Sequence, residues 1–225
     1  MKLHIYFIII LIATNICFSN GIAEQYTKMV NRIKLDRYSI NCIYTQANDT
    51  IRQQIIKQTR KYLLTMIRDS LIPYWYGTPW GFYGTTRIPR QGKIACGYFV
   101  TTILNDVGFR VPIKWAQLAS EEMILKFSPY KVKRFKNQPL ADVENYLLKQ
   151  GEGLYLTGLD CHVGFLYVQN NSVSFIHSNY YFPDTGVMSE SITTNNPFRY
   201  SKYRVISKLF SDPMVDNWIR SESYK

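Results

Sequence analysis

The sequence predicts an α+β domain in which helices pack on an antiparallel β-sheet. Up to about residue 150 apolar residues recur at helical spacing; beyond it, short β-branched and aromatic runs alternate with Gly, Asn, Asp and Pro. No Gly/Ser-rich or Pro-rich linker, internal repeat or low-complexity tract divides the 225 residues, so a single core is expected and a solenoid or tandem binding array is not.

The elements follow in chain order. A positively charged start leads into an apolar run over residues 5–13, too short to span a bilayer, and Ser19 places a small residue where a signal peptidase cuts. Residues 1–19 therefore read as a secretory signal cleaved after Ser19, with a secreted or periplasmic mature chain that has no membrane span. Bulky Ile16 argues against lipid modification of Cys17. Residues 20–70 are expected to form a helical extension packed on the same domain, and 71–225 the main domain. Within the extension, residues 49–70 read as a helix with Asp49 as N-cap, Ile51, Ile55, Tyr62 and Met66 at helical spacing, and Pro73 as terminator. The aromatic stretch of residues 73–84 is too broken by Gly and Pro for a regular element and reads as a structured loop that lines a groove or caps the core.

A helix then starts at or near Cys96, with Phe99, Val100, Ile103, Leu104 and Val107 on one apolar face and Gly108 as its stop. Two more are expected at residues 115–127 and 140–150, the second with Pro139 before it and Gly151 after it. Strands are expected at residues 154–157, 162–169, 173–178 and 203–209.

The formal charge of +11 suggests a polyanionic partner such as an anionic cell-wall polymer. Nucleic acid is disfavoured, because the cations are scattered and the chain is exported. Beyond the signal, the cysteines are Cys42, Cys96 and Cys161, an odd number for an oxidising compartment. A Cys42–Cys161 disulfide would leave Cys96 as the free thiol.

Beyond the signal, the only histidines are His162 and His177. If Asn170-Asn171 is a two-residue turn, Gln169 faces Ser172 and His177 falls opposite Gly164, one same-face step beyond His162. The imidazoles are then diagonal neighbours, ~7–8 Å apart by backbone, beside an apolar wall of Leu166, Val168, Val173 and Phe175. A three-residue turn would put them on opposite faces. Cysteine-nucleophile chemistry needs a thiolate, an imidazole and a polar group to orient that imidazole. A cysteine at a helix start faces unpaired N–H groups and the positive end of the dipole, which lower such pKa values to ~3.5–7.5. Gly97 would let a substrate backbone approach closely, and the amide beside the sulfur would help hold an oxyanion.

Ile94-Ala95-Cys96-Gly97, His162-Val163-Gly164-Phe165-Leu166 and Phe175-Ile176-His177-Ser178, in that order, resemble the NlpC-type cell-wall cysteine peptidases of the papain-like superfamily. Upstream, Tyr74-Trp75-Tyr76-Gly77-Thr78 resembles that family's tyrosine motif, with Thr78 in place of a glycine. The resemblance spans roughly residues 70–180. It implies a papain-like fold with the nucleophile at a helix N-terminus, and amide cleavage in peptidoglycan stem peptides without a cofactor. It also implies Cys96 as nucleophile, His162 as general base, His177 as its orienter and Tyr74 or Tyr76 at the oxyanion. Trp80 and Gly97 complete the expected substrate contacts. Ala95 and Tyr98 depart from the family pattern around the cysteine, which bears on subfamily and substrate. A Cys96–His162 ion pair is expected to supply thiolate near neutral pH.

Three other readings fit the same residues. Acyl transfer replaces water by another acceptor. A metal-binding hydrolase would use ligands drawn from Asp160, Cys161, His162 and His177, although strand alternation turns Cys161 and His162 to opposite faces. A non-catalytic wall-binding module would use the basic helix and the aromatic loop.

Overall fold

A computed structural model describes residues 21–225 in full and, for residues 3–20, the backbone alone. The expected export signal at residues 1–19 lies outside the fully described residues. No helix among the described residues is long and apolar enough to cross a membrane.

The fold is α+β. Helix α1 (Leu3–Gln46) turns Tyr26, Val30 and Ile33 inward at three- and four-residue spacing, with Tyr44 about three turns further on, and these share one core with Ile56 and Leu63 of α2 (Asp49–Thr65). The N-cap of α2 is Asn48, whose side chain accepts from the Ile51 N–H, and the expected cap Asp49 is the first helical residue. Pro73 does not end the helical run. A π-helical turn, Met66–Leu71, shifts the register, and Pro73 then sits in the first turn of α3 (Ile72–Trp75), where its missing N–H costs little. That shift buries Trp75, whose indole N–H donates to the Tyr26 hydroxyl.

Helix α4 (Cys96–Asp106) is followed by a 3₁₀ turn (Ile113–Gln117), α5 (Ser120–Phe127), β1 (Lys133–Lys136) and α6 (Leu140–Gln150). The expected helix over residues 115–127 is therefore two pieces. The remaining strands are β2 (Gly153–Leu159), β3 (Val163–Gln169), β4 (Ser172–Ser178), β5 (Val187–Ser191) and β6 (Tyr203–Lys208), with short α7 (Pro197–Tyr200) and terminal α8 (Asp212–Arg220). They form a six-stranded sheet in the order β1-β6-β2-β3-β4-β5, and every pairing is antiparallel. The two outer strands, β1 and β5, were not expected: each buries a single residue, Phe135 and Val187 respectively, too few to give a period-2 signal.

The central strands are buried on both faces. Leu154, Leu156, Val163, Phe165, Ile176 and Val205 face the layer of α1–α5 and α8. The alternate residues Tyr155, Leu166, Val168, Val173, Phe175 and Ile206 pack under α6 and α7, against Val143, Leu147 and Phe198. Helix α4 crosses β3 and β4 on the first face, with Phe99 edge-on to Phe165 at 6.1 Å between ring centroids. The β3–β4 hairpin has the two-residue turn read from the sequence: Gln169 pairs with Ser172, and Asn170 and Asn171 have φ of 50° and 54°. Positive φ at both positions is the turn geometry that matches strand twist, and asparagine tolerates it.

Gly97 locks the start of α4. A Cβ built there would lie 2.1 Å from the Ala116 carbonyl oxygen, so the 3₁₀ turn closes on the helix only because this residue has no side chain. Gly97→Ala should lower stability by about 1–3 kcal/mol, measured by denaturant unfolding, and move the first turn of α4 away from residues 113–117.

Candidate active site

The start of α4 and the end of the sheet meet at Cys96. Ala95 is extended, and its N–H is held by the Gly84 carbonyl, so the helix begins at Cys96 itself. The backbone N–H groups of Cys96, Gly97 and Val163 face the Cys96 sulfur. The Val163 contact brings in the β3 end, because His162 is the residue just before that strand. Cys96 and His162 line one groove of about 520 Å³, whose walls are the segment from Ala116 to Glu121 and the turn from Leu159 to Val163.

Behind His162 runs a chain of hydrogen bonds. His162 Nε2 lies 2.9 Å from His177 Nδ1, and His177 Nε2 lies 2.9 Å from Glu190 Oε1 on β5. Asn179 Nδ2 donates to the same carboxylate oxygen at 3.1 Å, and the Thr194 hydroxyl donates to the other. The His177 ring stacks on Phe175 at 4.0 Å, and both histidines are buried. Burial works to raise the Glu190 pKa, but the hydrogen bonds from His177, Thr194 and Asn196 outweigh it and hold it below the ordinary value. The carboxylate is therefore an ionised, acceptor-only group at the end of the chain.

The proton positions follow. Glu190 requires the His177 proton on Nε2, which leaves His177 Nδ1 as an acceptor. That acceptor requires the His162 proton on Nε2, which leaves a lone pair on His162 Nδ1. His162 Nδ1 is buried and has no hydrogen-bond partner among the described residues. Burial, and then the neighbouring His177, pushes the His162 pKa well down; burial also lowers that of His177 against the pull of Glu190. Both rings are thus neutral near pH 7, as this proton order demands.

The Cys96 thiol departs from expectation. The three N–H groups favour its thiolate, but burial outweighs them and raises the pKa above the ordinary value. At rest the two are a thiol and a neutral imidazole with no hydrogen bond from His162 Nδ1 to the sulfur, and the expected ion pair is not formed.

The other expected site residues divide. Neither Tyr74 nor Tyr76 lines the Cys96 groove: the Tyr74 ring is edge-on to Tyr26 at 5.5 Å in the helical layer, and Tyr76 hydrogen-bonds Ser189 on β5. The tyrosine in the lining of the Cys96 groove is Tyr203, whose hydroxyl donates to Glu121 at 2.6 Å, and Tyr180, just past β4, lies on the other side of His162 in the adjoining hollow. The Tyr180 ring lies 5.2 Å from that of His162. Its pKa is pushed up to about 12 by burial first, then by Tyr181, Cys161 and Cys96. Trp80 reaches the site through Tyr180, at 6.0 Å between rings. Gly97 lines the groove, but the space a side chain would fill belongs to Ala116, so close approach of a substrate backbone is not its role.

Cys42 and Cys161 are exposed free thiols, and the expected disulfide is not formed. Asp160 is held by the Ser201 hydroxyl and the Lys202 N–H, and no group of three or more His, Cys, Asp and Glu among the described residues is placed to hold a metal ion. The charged residues lining the groove are Glu121 and Asp160, with no Lys or Arg, so the chain's positive charge lies elsewhere.

Sequence reasoning missed Glu190, Asn179 and Tyr180. Glu190 pairs with Phe175 across β4–β5 and is a diagonal neighbour of His177, a relation visible only once β5 is known to be a strand. No protein-family model, curated protein or solved structure matches this chain.

Two measurements check these electrostatics. Alkylation of Cys96 as a function of pH should give an apparent pKa above the ~8.5 of free cysteine. Because both imidazoles have folded pKa values below the unfolded ~6.5, the unfolded chain takes up protons first. Stability should be intact above that pH and fall as pH drops through it, by up to ~2.7 kcal/mol per pH unit for two groups. His162→Gln should make the fall shallower in urea titrations.

Proposed function

We propose that this chain is a cysteine hydrolase of papain-like architecture, similar to the NlpC-type peptidases, that cleaves an amide bond by acylating Cys96. The observation that carries the reading is the proton order from Glu190 through His177 to His162, which leaves a buried, unpartnered nitrogen on the histidine that lines one groove with Cys96.

The chemistry follows from the resting state. Because the pair is neutral, transfer of the thiol proton is unfavourable by itself and becomes productive when the sulfur attacks a carbonyl carbon. His162 Nδ1 takes the proton as the S–C bond forms. The new positive charge is supported through His177 by Glu190. The carbonyl oxygen becomes an oxyanion for which the Cys96 and Gly97 N–H groups and the Tyr180 hydroxyl are the nearby donors. His162 then gives its proton to the leaving amine as the C–N bond breaks, and water, deprotonated by the same nitrogen, hydrolyses the thioester.

Resemblance points to peptidoglycan stem peptides as substrate, and the expected export signal is consistent with a secreted or periplasmic enzyme. The acidic lining of the groove favours a substrate whose reacting segment is neutral or cationic, so attraction to an anionic polymer would act outside the groove.

The test is release of new amino groups from muropeptides or synthetic stem peptides, with covalent capture of Cys96 by a peptidyl electrophile read by mass. Cys96→Ala should abolish both. Glu190→Gln presents an amide donor to His177 and disturbs the proton order, and should reduce turnover about 10²- to 10⁴-fold while retaining fold and capture. Unchanged turnover in Glu190→Gln, or no capture and no turnover with any peptide amide, would remove this reading.

A further inference from the structure

Among the described residues, the most exposed aromatic pair lies outside the groove. Phe82 and Tyr83 are 72% and 89% exposed, edge-on to one another with ring centroids 5.0 Å apart. They occupy the two central positions of a tight turn closed by the Gly84 N–H on the Gly81 carbonyl at 2.9 Å. The turn is firmly backed. Ile94 N–H donates to Pro79, Ala95 N–H to Gly84 and Thr86 N–H to Lys93, and a Cβ at Gly84 would lie 2.5 Å from the Lys93 carbonyl carbon. Two rings are thus displayed to solvent by a backbone that leaves them little freedom to fold back.

Their surroundings are basic. Residues 81–93 contain Arg87, Arg90 and Lys93 and no acidic residue. Arg90 is committed to the Pro73 and Tyr74 carbonyls and Arg87, though more than half exposed, lies 3.7 Å from the Asp106 carboxylate, whereas Lys93 is exposed and borders the hollow beside Phe82 and Tyr83. On the neighbouring side, half-exposed Ile88 and Arg87 share a second hollow with Tyr26 and with the Glu24–Lys28 ion pair of α1, so the free positive charge lies on the side of Lys93. In sequence that end of α1 follows the apolar run of residues 5–13.

We infer that the turn at residues 81–84, with Arg87, Ile88 and Lys93, docks on the headgroup region of an anionic lipid bilayer. Rings and an aliphatic side chain rimmed by cations match an interface that is apolar below and negatively charged above. A soluble polyanion would use the cations but would leave Phe82 and Ile88 in water. The inference is independent of the hydrolase reading.

The test is sedimentation of the full chain with vesicles of phosphatidylglycerol and phosphatidylcholine, against phosphatidylcholine alone, over a range of salt. The expected result is binding that needs the anionic lipid and weakens with salt, a loss of about tenfold in Phe82→Ser/Tyr83→Ser, and about fivefold or more in Lys93→Glu. All these side chains are exposed, and unchanged thermal unfolding of the variants confirms that the fold is kept. Equal partition of wild type and both variants would overturn the inference and assign any binding to the apolar N-terminal run. Equal partition to neutral vesicles would overturn it as well. So would no vesicle binding together with retention on an anionic polysaccharide, which would assign the face to a soluble polymer.

Discussion

The contact between His177 and the Glu190 carboxylate is the interaction on which the arrangement at Cys96 depends. A buried imidazole has two nitrogens of opposite hydrogen-bonding character, and without a fixed partner either order is available. Glu190 removes that freedom because an ionised carboxylate only accepts. Its own ionisation is secured by Asn179, Thr194 and Asn196, so the polar chain ends in groups that are themselves satisfied. From Glu190 to His162 Nε2 this buried network is paired, and His162 Nδ1 is its one unpartnered end among the described residues; breaking it at any other member strands a neighbour in a medium of low polarity.

The sheet brings these groups together through alternation. Helix α4 lies on the face of Val163, Phe165 and Ile176, whereas His177 stacks on Phe175 in the opposite row. His162 joins the two, because it precedes β3 at the sheet end that α4 reaches with its N-terminus. The same packing that sets Cys96 and His162 in one groove lining buries the sulfur, and burial outweighs three backbone donors. A helix start is therefore not sufficient to make a thiolate; the depth at which the packing leaves it decides the sign.

Much of this was legible in the sequence. The β3–β4 register followed from two asparagines flanked by alternating residues, and with it the neighbouring histidines; Gly108, Gly151 and Pro139 marked helix ends that the structure keeps. What escaped was set by tertiary contact. The outer strands carry too few buried residues to declare themselves, and with β5 went Glu190. The π-helical turn before Pro73 leaves no trace in spacing, and Tyr74 and Tyr76, expected at the oxyanion from resemblance alone, do not line the groove. Tyr180 sits in a loop, where position depends on folding rather than on period.

Those outer strands carry a further consequence. Unpaired backbone at the rim of a sheet invites another chain to add itself. Here one rim is four residues long and carries Lys133, Arg134 and Lys136. At the other, Val187 exchanges backbone hydrogen bonds with Gly77 and Thr78, and Gly186 admits that segment where any side chain would strike the Thr78 carbonyl. The domain thus guards one rim by like-charge repulsion and closes the Val187 end of the other with its own backbone.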